Sequence, residues 1–116
     1  MQGLMLVNTT NYVSRMDGQL GKPLVYVDYL ESAPWNLKDL TPDPPRYQGV
    51  GIRLIEVAVR FSLEEGFGGR IGLHALPQAE YFYEKICKMT RGEIDRQYHD
   101  LVWFELTAAD AKKFVE

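Results

Sequence analysis

The spacing of apolar residues changes period several times along the chain. GLMLV (3–7) is a short apolar run that predicts a strand, and NTTNYVSR (8–15) continues it either as a second, polar strand or as loop. MDGQLGKP (16–23) carries two glycines and a proline and reads as a turn. LVYVDYLES (24–32) is β-branched, aromatic and nearly continuous in apolar character, the pattern of an interior strand covered on both faces. Its charges, Asp28 and Glu31, would point to opposite faces of a regular strand. APWNLKDLTPDPPRYQ (33–48) holds four of the six prolines and reads as loop. Over 50–65 the apolar residues Leu54, Ile55, Ala58, Phe61 and Leu63 follow a helical face, with Arg53, Glu56, Arg60 and Glu64 opposite. Gly66 stands where a left-handed C-cap belongs. GRIGLHAL (69–76) predicts a second interior strand, and PQAEYFYEKICKM (77–89) a helix with proline in its first turn. RGEIDRQYHD (91–100) reads as a polar connection, LVWFELT (101–107) as a final strand, and AADAKKFVE (108–116) as a short terminal helix.

Strands and helices in that order make an α/β (α+β) domain whose centre is a strand–helix–strand unit. A length of 116 residues fits one domain. The formal charge of −3 argues against generic nucleic-acid binding, which favours basic faces. No apolar run approaches the roughly 20 residues that span a bilayer, and the N-terminus lacks the basic start of a secretory signal. Cys87 is the single cysteine, with neither a disulfide partner nor a zinc-binding companion. The expectation is a cytoplasmic protein with no metal, no nucleic-acid partner and no membrane association.

The stretch PPRYQGVGIR (44–53) is the one with chemical character. The first N–H groups of a helix lack internal partners, and the helix dipole adds partial positive charge there. Glycines remove the Cβ atoms that would hold a phosphate away from the backbone. Gly49 and Gly51, with Arg46 and Arg53 beside them, therefore read either as an anion cradle at a helix mouth or as a tight strand-to-helix turn. No Gly-Lys-Ser/Thr follows, so this is no nucleotide P-loop, and the third glycine of a dinucleotide fingerprint is missing.

RYQGVG has the form Arg/Gln-x-x-Gly-x-Gly/Ala, and AEYFYEK (79–85) follows on the next predicted helix. This pairing, over roughly residues 24–89, resembles the GNAT superfamily of acyl-CoA-dependent N-acyltransferases. The resemblance implies a mixed central sheet with splayed interior strands flanked by helices, and acetyl-CoA as co-substrate. It implies that the amides of Gln48, Gly49, Val50, Gly51 and Ile52, with Arg46, seat the pyrophosphate. It further implies that the pantetheine arm pairs with backbone near Leu30 and Glu31 where the two interior strands part. In the family a tyrosine of the second motif protonates the leaving thiolate; here that position is Tyr83, a phenol that stays protonated at neutral pH. His74, at the end of the second interior strand, and Glu31, at the end of the first, are the two candidates for the base. Asp28, Trp35 and Asn36 are candidates for the acceptor site. The acceptor would be a small-molecule or peptide amine.

Two departures accompany the resemblance. Leu76 stands where the family often has asparagine, and YEKICKM replaces its usual Tyr-Glu-Lys-x-Gly-Phe ending. The early elements that normally build the acceptor site also have almost no room before residue 24. The exposed sheet edge that this leaves favours a homodimer, or a partner completing the acceptor site. A non-catalytic acyl-CoA-binding or interaction module on the same scaffold is the competing expectation.

Overall fold

The computed structural model describes residues 4–10, 12–31 and 45–115. Alternation dictates its layering. Strand β2 (Val25–Glu31) sends Val25 and Val27 to one face and Tyr26 to the other, where Leu24 also packs. Strand β3 (Ile71–Ala75) does the same with Ile71, Leu73 and Ala75 against Gly72 and His74. Strand β5 (Leu101–Leu106) follows with Val102, Phe104 and Leu106 against Trp103 and Glu105. The first set of side chains builds the main core under helix α1 (Pro45–Glu64), which contributes Ile55, Ala58 and Val59, and under helix α2 (Ala108–Val115), which contributes Ala111. The second set is covered by the loop that carries Tyr12 and Met16. Among the described residues the helices pack on one face of the sheet only, so the expected helical flanking holds for that face.

The sheet is mixed and five-stranded. Strand β1 (Leu4–Asn8) lies at one edge and β4 (Thr90–Asp95) at the other, in the order β1-β2-β3-β5-β4. All neighbours are antiparallel except β2 and β3, which run parallel and are joined through α1. A parallel pair requires such a crossover. The helix ends as its sequence dictates. Gly66 adopts φ 81°, Gly66 N–H donates to the Leu63 carbonyl at 3.1 Å, and Phe67 N–H donates to Ser62 at 2.9 Å, which closes a Schellman cap.

Three sequence expectations change. The helix starts at Pro45 rather than near residue 50, because a proline needs no N–H partner in the first turn and pre-sets its φ. The predicted helix over 77–89 is present over 77–86 but irregular: it opens as a tight 3₁₀ turn at Pro77–Ala79 and widens into a π turn at Phe82–Ile86, the wide turn, where Cys87 N–H reaches back to the Phe82 carbonyl at 2.9 Å. The polar connection over 91–100 begins as strand β4, paired with β5 from Thr90↔Glu105 to Asp95↔Leu101. Its mostly exposed side chains gave no apolar alternation to read, as befits an edge strand. The described residues of the segment 8–15 after Asn8 are loop, with one isolated antiparallel bridge between Val13 and Pro23.

Candidate functional site

The centre of the molecule is a fork in the sheet. Strands β2 and β3 are in register only through Val25↔Ile71 and Tyr26↔Gly72, although β2 continues to Glu31 and β3 to Ala75. The cause lies in the β1–β2 pairing. Leu6 opposes Tyr29 while Val7 opposes Val27, so Asp28 is an extra residue on β2 with no partner of its own. A bulge of this kind bends its strand and increases the local twist. It falls where pairing with β3 stops. Beyond it, the β3-facing edge of β2 and the β2-facing edge of β3 carry backbone groups that no described strand satisfies, and such groups call for a partner. Asp28 itself is exposed at the bulge.

The floor of the fork is held together from the face away from α1. Tyr26, in the last paired position of β2, hydrogen-bonds His74 Nδ1 at 2.7 Å, and His74 Nε2 lies 2.9 Å from Asp95 Oδ2. Burial lowers the His74 pKa from its ordinary value, outweighing the opposing pull of Asp95, so the ring is neutral at pH 7. In that state Nε2–H donates to Asp95, and Nδ1 accepts from the Tyr26 hydroxyl, whose own pKa burial raises. Asp95 also accepts from Arg15 Nη1 at 2.9 Å. Arg15 first and His74 second hold its carboxyl down at about 2. The ring of Tyr98 stacks on His74 at 4.1 Å, and Tyr12 stacks on Tyr26 at 4.2 Å.

Beside this chain sits a buried carboxylate. Glu105 is fully buried and accepts from Ser14 Oγ, Arg15 N–H, Gln19 Nε2 and Trp103 Nε1, at 2.5, 2.5, 2.9 and 2.7 Å. Four donors compensate its desolvation. Three of them, from Ser14, Arg15 and Gln19, also staple the 12–24 loop to β5, which fixes the second layer over Tyr26 and His74.

Tyr83 stands on the opposite face, in the main core between the rings of Phe82 and Phe104, at 5.4 and 6.0 Å. Burial first, and neighbouring Cys87 second, push its phenol well above the ordinary value. Burial also pushes the Cys87 thiol up to about 12, which leaves it unreactive. The wide turn bearing Tyr83 is tied to β4 by Arg91, which reaches Glu80 at 2.8 Å and Glu84 at 3.0 Å.

The glycine stretch is helix, not turn. In a helix that begins at Pro45, the amides of Gly49, Val50, Gly51 and Ile52 lie beyond the first turn and bond to carbonyls four residues back. Proline has no N–H and the amide of Gln48 makes the first bond of the helix, so the free amides are those of Arg46 and Tyr47, and the amides expected to form a cradle at 48–52 are bonded within α1. Gly51 has a packing reason of its own. A Cβ there would stand 2.7 Å from Cζ of Phe82, so the glycine lets that ring lie against α1, next to Tyr83.

The structure thus brings His74, Asp28 and the backbone of Leu30 and Glu31 to the fork, and joins Tyr83 to α1 through the Phe82–Gly51 contact. His74 does not stand free as a base: both ring nitrogens are engaged and its side chain is 3% exposed. Trp35 and Asn36 lie outside the described residues, as do the side chains of Leu30, Glu31, Arg46, Gln48 and Val50. Sequence reading missed Tyr26, Arg15, Asp95 and Glu105. Only Glu105, a lone carboxylate amid the apolar LVWFELT run, carried a visible signal. Among the described residues no cluster of histidine, cysteine and carboxylate side chains is arranged to hold a metal, and no helix is long and apolar enough to cross a membrane. No protein-family model matches the chain, and no curated protein or solved structure matches it significantly.

Proposed function

We propose that the chain is an acyl-CoA-dependent N-acyltransferase of GNAT-like fold, transferring an acetyl group from acetyl-CoA directly to an amine. The observation that carries this reading is the fork. Two parallel interior strands part after two paired positions, at a bulge, and are joined through α1, the helix whose first turns bear the glycine motif. An extended amide-bearing arm such as pantetheine satisfies both open edges in the manner of an added strand. The N-terminus of α1, with its free amides, dipole and Arg46, suits the pyrophosphate.

In this reading Leu30 and Glu31 supply backbone partners for the arm, and Tyr83 protonates the departing thiolate. Its raised pKa keeps that proton available throughout the neutral range. Attack forms the new C–N bond, the tetrahedral intermediate expels the thiolate, and the amine's surplus proton leaves through a base. With His74 engaged in the clamp below the fork, Glu31 or a water it orders takes that role. The tied-up histidine also favours a second reading, a non-catalytic acyl-CoA-binding module. Release of coenzyme A in the presence of amines separates the two.

Calorimetric titration with acetyl-CoA tests the common premise. Gly49→Asp is the control: an aspartate early in α1 is compatible with the helix but repels phosphate. Saturable binding lost in this variant is the expected result. No binding at millimolar ligand, or undiminished affinity in the variant, overturns the assignment. Gly51 is unsuitable for this purpose, since any side chain there collides with Phe82.

A further inference from the structure

We propose that the β1 edge, with the apolar groove beside it, is a self-association surface at which a second copy of this chain docks across a two-fold axis. Strand β1 has a described neighbour, β2, on one side only, so among the described residues no strand pairs with the backbone donors and acceptors of its other edge. Alongside it, Val7, Val57, Arg60, Phe61 and Glu64 line a shallow groove between β1 and α1. On the rim of this groove Val57 is 54% exposed, while Leu6, 55% exposed, stands on the opposite face of the same edge strand. A free strand edge flanked by apolar side chains is the geometry that recruits another strand.

Symmetry and charge select a second copy as the occupant. A two-fold axis normal to the sheet pairs β1 antiparallel with its own copy and keeps both α1 helices on the same face, side by side and antiparallel. The groove carries one cation and one anion a helical turn apart, Arg60 and Glu64. An antiparallel approach of two α1 helices brings each Arg60 to within about a turn of the other copy's Glu64, so the rim is complementary to itself. Arg60 is already oriented by Glu56 of its own helix, 2.9 Å away. The apolar residues Val57 and Phe61 then face their counterparts, and two five-stranded sheets become one continuous sheet. The other edge, β4, also exposes an apolar residue, Ile94, but there Arg91 is committed to two carboxylates, Glu80 and Glu84, of its own chain.

Analytical ultracentrifugation of the full chain over a wide concentration range is the test, with circular dichroism on each variant to confirm folding. The wild type is expected to sediment as a reversible dimer. Val57→Glu, a change on an exposed helix position, is expected to weaken the dimer at least about tenfold. Arg60→Glu is expected to weaken it as well, through like charges facing Glu64. The double variant Arg60→Glu/Glu64→Arg is expected to recover most of the loss, because the swap restores opposite charges across the axis although position 60 loses its pairing with Glu56. A wild-type protein that stays monomeric at the highest concentration overturns the proposal. So does a dimer indifferent to Val57→Glu, or one that the double variant fails to restore. None of these outcomes depends on coenzyme binding.

Discussion

His74 shows how a single residue changes meaning between sequence and structure. As a lone histidine at the end of an apolar strand it reads as a proton acceptor, because its ordinary pKa lies near neutrality. In the fold its Nδ1 accepts from Tyr26 and its Nε2 donates to Asp95, which makes it a clamp between β2, β3 and β4. A second proton would turn Nδ1 into a donor facing the Tyr26 hydroxyl and place a charge beside Arg15, even as it strengthened the pull of Asp95. Because its folded pKa lies below the unfolded value of about 6.5, the unfolded chain binds the proton more readily. The sign follows. The contribution of neutral His74 is complete above about pH 6.5 and is lost as pH falls through that value toward the lower folded pKa. Asp95 adds a second loss further down, between its ordinary pKa near 3.9 and its folded value of about 2. Urea unfolding at a series of pH values is expected to show wild-type stability declining from pH 7 to pH 5. In His74→Gln, which has no proton to gain, that segment of the curve should be nearly flat. Parallel curves for the two proteins would remove the clamp from the account.

At the scale of elements, legibility followed burial. The strands over 24–32, 69–76 and 101–107 were readable because each has at least one face packed in the main core, and their apolar residues recur accordingly. Strand β4 was not, because an edge strand with exposed side chains looks like a loop; consequently Asp95 and Arg91 were invisible as partners of His74 and of the Tyr83 segment. The start of α1 was misplaced for a related reason. Glycines are poor helix interior residues, so the sequence places Gly49 before a helical stretch over 50–65, whereas α1 begins at Pro45 and runs through both glycines, with Phe82 packed against Gly51. The bulge at Asp28 left no trace in the pattern, since one extra residue in an apolar run does not alter its character. The wide turn at Phe82–Ile86 bears on Tyr83 directly: it holds that side chain 8% exposed between two aromatic rings, with Arg91 fixing the element from outside. Tyr83→Phe removes the hydroxyl while keeping those ring contacts. If the proposed acid role is right, the variant binds acetyl-CoA as the wild type does and turns over roughly 10²-fold more slowly. Wild-type turnover in that variant would return Tyr83 to packing alone.

At the scale of the whole molecule, the sheet is closed everywhere in its middle except at the fork, and the two layers are arranged to keep it open. On one face α1 spans the crossover from β2 to β3, and on the other the Tyr26–His74–Asp95 chain and the stapled 12–24 loop grip the strands just below the point of separation. Among the described residues neither layer inserts a strand between the separated ends. Two parallel strands left to themselves would go on pairing, so the open backbone edges are retained at a cost that a ligand would offset. Amide hydrogen exchange followed residue by residue reads this directly. Val25 N–H, bonded to the Arg70 carbonyl at 3.1 Å, should exchange slowly in the free protein. The amides of Val27–Glu31 that do not point toward β1 should exchange much faster despite lying in a central strand. Saturating acetyl-CoA should slow those fork amides together with the first amides of α1, because the arm and the pyrophosphate are parts of one ligand. Protection at the helix alone would mean that a phosphate group binds without the arm entering the sheet. Unchanged exchange at both places would leave the fork without its proposed occupant.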